Sequence, residues 1–148
     1  MEAAMHADRF EADLNAAPPV NERGRVVDAD APDDERTFGM LGHLSVLGHL
    51  VISGFAIIVP IVMYQSKKKD APFAADHLRE AINFQISLII YTVALAIFSV
   101  VTIGIGLILA APLGVGVYIL GLIGVIQASM AANRGEYYRY PMTIRFLH

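Results

Sequence analysis

Two stretches of this chain contain no Asp, Glu, Lys or Arg: the thirty residues from Thr37 to Ser66 and the fifty-three from Ala81 to Asn133. Each exceeds the roughly 18 to 20 residues that a membrane helix needs. In lipid the backbone satisfies its own polar groups only as a helix or a closed barrel, and neither stretch alternates like barrel strands. The sequence therefore predicts an all-α, polytopic integral membrane protein. Composition agrees, because 55% of the 148 residues are hydrophobic and 17% charged, against about 45–50% and about 25% in soluble domains. That length allows one domain or one small bundle. With no Cys, a disulfide framework, a thiol nucleophile and a thiolate metal site are excluded.

The longer stretch exceeds one span, and Gly104, Gly106 and Pro112 punctuate it. The pattern predicts a helix from about Asp76 to Ile103, a turn, and a helix from about Leu113 to Asn133. The shorter stretch as one straight helix would be about 45 Å long against a hydrocarbon core of about 30 Å. Splitting it near Ser53 and Gly54 gives two arms of about 14 to 16 residues, each about 21 to 24 Å. In the split reading Arg36, Lys67, Lys68, Lys69, Arg79, Arg134, Arg139 and Arg145 share one side, as the positive-inside rule asks of a cytosolic face. Four helical segments as two hairpins are thus preferred, with three transmembrane helices as the alternative. The location expected is a bacterial inner membrane, with both termini cytosolic.

Ten of the fourteen acidic residues precede position 37. Residues 1–36, with three prolines and no apolar run, bury too little to offset chain entropy, so they are expected to be a disordered acidic cytosolic tail. Residues 37–148 form the helical membrane domain. Glu35 or Asp34 is positioned to cap the first helix, and Asp76 a later one, with Glu80 favoured by that helix's dipole.

Polar side chains at membrane depth are the candidates for specificity, since lipid cannot solvate them. They are His43, Asn83, Gln85 and Gln127, with His49 nearby. His43 and His49 lie about 120° apart on a helix and cannot bind one metal unaided. Arg79, Asn83 and Ser87 share a face, with Gln85 close by. In the last span Gly114, Gly121, Gly124, Ala128 and Ala131 form a small-residue stripe that lets helices approach closely. Lys67, Lys68, Lys69, Arg134, Tyr137, Tyr138, Arg139 and Tyr140 fit the headgroup zone as membrane-interface anchors. No phosphate loop, nucleophile elbow or His-Glu-x-x-His occurs, so the chain is read as not an enzyme, without cofactor or metal site.

The run Glu35 to Ser45, Lys68-Lys69-Asp70, Glu80 to Ser87 with its Asn83-Phe84-Gln85 block, and Gly135 to Phe146 with Tyr138-Arg139-Tyr140-Pro141 resemble a bacterial domain-of-unknown-function family. That family is related to the Tic-twenty component of the chloroplast inner-envelope translocon. The resemblance covers about Asp34 to His148 and implies a small membrane protein with four helical segments, without an assigned activity. The functional expectation is a non-enzymatic accessory, assembly or scaffold subunit acting by helix association. Its partners would be the lipid bilayer and either a second copy or another membrane protein, and not nucleic acid. The alternative is a pore or transporter subunit for a small solute or peptide, which needs His43, Asn83, Gln85 and Gln127 to converge on one wet cavity. A membrane-bound metal or redox protein would need His43, His49 and His77 together.

Overall fold

The computed structural model describes residues 18–48 and 53–148. Among them the chain is all-helical, without strands. Helix α1 (Asp33–Leu44) runs into a 3-10 turn at Ser45–Gly48; a second 3-10 turn at Ser53–Ile57 leads into α2 (Ile58–Lys67), followed by α3 (Pro72–Val101) and α4 (Leu107–Asn133). Much of the short charge-free stretch is thus divided between α1 and α2. His49 lies outside the described residues, as does most of the connection on which the expected turn at Ser53 and Gly54 depends.

The boundaries differ from expectation for local reasons. Helix α1 starts at Asp33 rather than after Arg36, because Asp33, Asp34 and Glu35 in its first turn suit the positive end of the dipole. Helix α3 starts at Pro72, where proline's missing N–H costs no hydrogen bond. The turn between α3 and α4 is shorter than predicted: Ile103 and Gly104 take positive φ of 55° and 86°, and the Gly106 amide donates to Thr102 Oγ1 at 2.8 Å. Pro112 lies inside α4, where its missing N–H gives up the backbone bond to the Ile108 carbonyl.

Helices α3 and α4 are each long and apolar enough to cross a membrane. Among the described residues their distal halves are largely uncovered, with Val100 78% and Ile108 76% exposed. The core sits at the other end, where α1 packs on both long helices. Close approach there depends on Gly42, where a Cβ would lie 2.5 Å from Leu78 Cδ2. Val46, Phe84, Val125, Ala128, Tyr138 and Tyr140 make one buried cluster, and Ala71, Ala74 and Leu78 another.

Residues 18–36 correct the expectation of a disordered tail, while residues 1–17 lie outside the described residues. Val27 bridges Glu136, the Asp28 amide donates to the Gly135 carbonyl at 2.8 Å, and the Tyr137 amide donates to the Val26 carbonyl at 2.9 Å. Gly135 has φ of +72°, and a Cβ there would sit 2.6 Å from the Asp28 carbonyl oxygen, so this junction requires glycine. The segment gains its order from backbone partners 107 to 111 positions away, which its own composition does not reveal.

Candidate functional site

The polar residues gather at the packed end of the bundle, and most hold the chain to itself. Glu35 does not cap its own helix. Its Oε2 accepts the amides of Phe73 at 2.9 Å and Ala74 at 3.1 Å, so a carboxylate of α1 satisfies the free N-terminal amides of α3. Asp76 caps nothing either; it pairs with Arg139 at 2.6 Å and with Arg79 at 3.4 Å.

One face of α3 clamps the irregular C-terminal segment. Glu80 accepts the Tyr140 amide at 2.8 Å and receives the Arg145 guanidinium at 3.0 and 3.1 Å. Asn83 exchanges hydrogen bonds with the backbone of Leu147 and accepts the Phe146 amide. Ser87 Oγ accepts the Ile144 amide, and Tyr91 donates to the Met142 carbonyl. Residues 80, 83, 87 and 91 recur at helical spacing, so the segment's backbone is paired by a side-chain ladder instead of a strand. Of the sequence face Arg79, Asn83, Ser87, the last two carry this ladder while Arg79 pairs with Asp76, and Glu80 and Tyr91 are the members the sequence reading lacks. The signal for Tyr91 was the same spacing continued one turn further.

Asn83 and Gln85 do not form one cluster, because residues two apart diverge by about 200° around a helix. Gln85 donates to Ser45 Oγ at 3.2 Å on the side of α1. Gln127 accepts the Tyr138 hydroxyl at 3.3 Å. His43 lies within hydrogen-bonding distance of His77 Nδ1 (2.9 Å from its Nε2) and of the Tyr140 hydroxyl (3.1 Å from its Nδ1). A chain of hydrogen bonds through these three groups needs only one proton per imidazole, whichever way it runs. His77 Nε2 has no partner among the described residues, and its ring stacks on Tyr137 at 5.9 Å. No group of three metal-ligating side chains forms among the described residues.

The small stripe of α4 packs within its own chain. Positions 121 and 124 meet Phe84 and the Tyr140 ring, where added Cβ atoms would lie 3.3 and 3.0 Å away, whereas Gly114 touches only Leu95. Ala128 and Ala131 are fully buried. The expected interface anchors separate. Tyr138 and Tyr140 are 6% and 2% exposed, which corrects their placement among headgroups: their rings fill the space left by the small stripe and their hydroxyls find Gln127 and His43. Tyr137 is half-buried. Lys67 lies over the Phe38 ring at 4.3 Å and near Asp34 at 3.6 Å, while Lys68 and Lys69 are exposed.

Glu136 is the hub that fastens residues 18–32. Its carboxylate meets Arg134 at 2.7 Å, Arg25 at 2.9 Å and Arg23 at 3.5 Å. Hydrogen bonds from Arg134, and then from Arg25, outweigh burial and hold its pKa down, from the usual 4.5 to about 2. A depressed carboxylate stabilises above its unfolded pKa and loses that contribution as pH falls through the folded one. The Val26 and Val27 amide resonances in micelles should therefore hold their positions down to pH 4.5 and move with a midpoint near 2. A midpoint at the ordinary carboxylate value would show that the arginines do not hold Glu136.

These features define a small all-helical protein whose two long apolar helices leave a densely hydrogen-bonded polar end, an arrangement that fits membrane association. The sequence pattern of the magnetosome magnetite crystal formation protein family, MamF/MmsF, matches residues 34–147. The chain belongs to that family. This corrects the resemblance to the domain-of-unknown-function family related to the Tic-twenty component. The two blocks that carried it, Asn83-Phe84-Gln85 and Tyr138-Arg139-Tyr140-Pro141, serve here to seat a C-terminal segment on a helix, a packing task that does not single out a translocon relative. Comparison with curated proteins and with solved structures gives no match.

Proposed function

We propose that this protein is a non-enzymatic, multipass component of the magnetosome membrane that supports magnetite crystal formation as an accessory, assembly or scaffold subunit. The observation that carries this reading is where the polar chemistry goes. Glu35, Glu80, Asn83, Ser87 and Glu136 are occupied by backbone amides and arginines of the same chain, whereas the apolar flanks of α3 and α4 face outward. Such a molecule offers surfaces to lipid and to other helices, not a reaction centre. Helices α1 and α2 form the first hairpin and α3 and α4 the second. Both ends lie on the arginine-rich side, which the positive-inside rule assigns to the cytosol. The partners are the bilayer and either a second copy or another membrane protein.

The pore alternative loses support from geometry. His43 and Gln85 are fully buried, Asn83 is bonded to the C-terminal backbone, and Gln127 lines a separate groove beside Tyr138. In a magnetite-forming bacterium lacking this chain, crystals should be smaller or irregular by electron microscopy, with wild-type crystals restored by the full chain. Crystals unchanged by its loss would remove the proposed role. Single cysteines at Glu22, Lys68 and Asn133 should all label from the cytosolic side; labelling of position 22 from the other side would remove the two-hairpin topology.

A further inference from the structure

Two neighbouring hollows share a wall. A groove of about 240 Å³ runs along α3 and α4, lined by Phe84, Leu88, Val117, Leu120 and Ile123 and ending at Gln127 and Tyr138. Beyond those two residues lies a wider cleft of about 640 Å³, lined by Gly24, Arg25, Val26, Tyr137 and Arg139 together with the same Gln127 and Tyr138. The groove is apolar and opens on the exposed flank of α4, with Leu120 58% and Ile123 47% exposed. From Val117 to Gln127 it follows eleven residues of α4, roughly 15 Å of helix.

The cleft end is short of negative charge. Arg23, Arg25 and Arg134 share Glu136, and Arg79 and Arg139 share Asp76. Asp28 stands near Tyr137, and one of its oxygens accepts the Asp30 amide. Arg145 with Glu80, and Arg36 beside Glu35, border the same end, so seven guanidinium groups stand beside five carboxylates. Arg25 lies over the Tyr138 ring at 4.9 Å, directly at the junction of groove and cleft. An apolar channel open to the bilayer, leading into a cationic cleft at the arginine-rich end, matches one kind of molecule in both its halves.

We propose that this is a binding site for a single anionic phospholipid, with an acyl chain in the groove between α3 and α4 and the phosphate at Arg25 and Arg139. The inference rests on the membrane reading above. Guanidinium groups bind phosphate through paired N–H donors, and the acyl chain lies against Leu88, Val117 and Leu120 of the groove.

The test uses the full chain in mild detergent, with native mass spectrometry and phosphatidylglycerol, phosphatidylcholine of the same chains, and glycerol 3-phosphate as probes. One phosphatidylglycerol should be retained in preference to phosphatidylcholine, and glycerol 3-phosphate should not compete at equal concentration. Arg25→Gln with Arg139→Gln should weaken retention about thirtyfold. Val117→Trp, which leaves every arginine in place, should weaken it by obstructing the groove, and Arg25→Lys with Arg139→Lys should retain most of the preference. Thermal unfolding of each variant separates loss of the site from loss of the fold. Equal retention of the two lipids, or full competition by glycerol 3-phosphate, would overturn the proposal. Carbonate extraction of native membranes separates the two readings: a chain that is washed off refutes the membrane reading, and one that stays but shows no lipid preference refutes only this site.

Discussion

Exchanging Glu80 for alanine is expected to lower stability by about 3 kcal/mol, the sum of two losses at one buried carboxylate. The Tyr140 amide, which Glu80 accepts at 2.8 Å, would be left buried and unpaired at a cost of about 1 to 3 kcal/mol. The hydrogen bonds from Arg145 would also go. Full stranding of a buried charge, about 3 to 5 kcal/mol on its own, does not apply, because Arg145 is 39% exposed and can hydrate. Glu80→Gln keeps an acceptor for the amide and gives up mainly the partly exposed ion pair, worth about 1 kcal/mol or less. Denaturation midpoints of the two variants in detergent would therefore be well separated. If both stay within about 0.5 kcal/mol of wild type, the range of an ordinary surface substitution, the C-terminal segment is not held by Glu80.

The parts of this fold that were legible are those dictated by solvent. Lipid forbids unpaired charge, so the extents of Thr37–Ser66 and Ala81–Asn133 announced apolar helices before any packing was known. Periodicity likewise exposed the stripe from Gly121 to Ala131, because a run of small residues at helical spacing has a packing consequence wherever its partner lies. What periodicity cannot report is the partner itself. Glu35 serves amides 38 and 39 positions away, and Arg25 reaches Glu136 across 111 positions. In the sequence Glu35 stands at a helix start, where capping its own helix is the nearest local task, and nothing marks a task for Glu136.

The aromatic block failed for a different reason. Tyrosine has an apolar ring and a polar tip, so it suits a membrane interface and a hydrogen-bonded core equally well. Residue type alone does not distinguish the two. The deciding feature is Gly124, whose absent side chain makes room for the Tyr140 ring. That pairing joins two motifs that the sequence displays as unrelated.

Tyr140 is accordingly the residue at which the two assignments give opposite results. Its ring lies parallel to Phe84 at 3.9 Å, its hydroxyl is 3.1 Å from His43 Nδ1, and its amide is held by Glu80. Tyr140→Ala should cost about 3 to 5 kcal/mol, the usual range for removing a large buried ring. Tyr140→Phe keeps the ring and deletes only the hydroxyl, so its cost should be about 1 to 3 kcal/mol, set by the buried His43 nitrogen left without a partner. Tyr118→Ala on α4 is the control, since that side chain is 41% exposed and lies on the apolar flank. A headgroup anchor at position 140 would make the two alanine variants alike and Tyr140→Phe nearly neutral. A core position makes Tyr140→Ala much the worst, with Tyr140→Phe between it and wild type, because ring packing and hydroxyl pairing are then lost in succession.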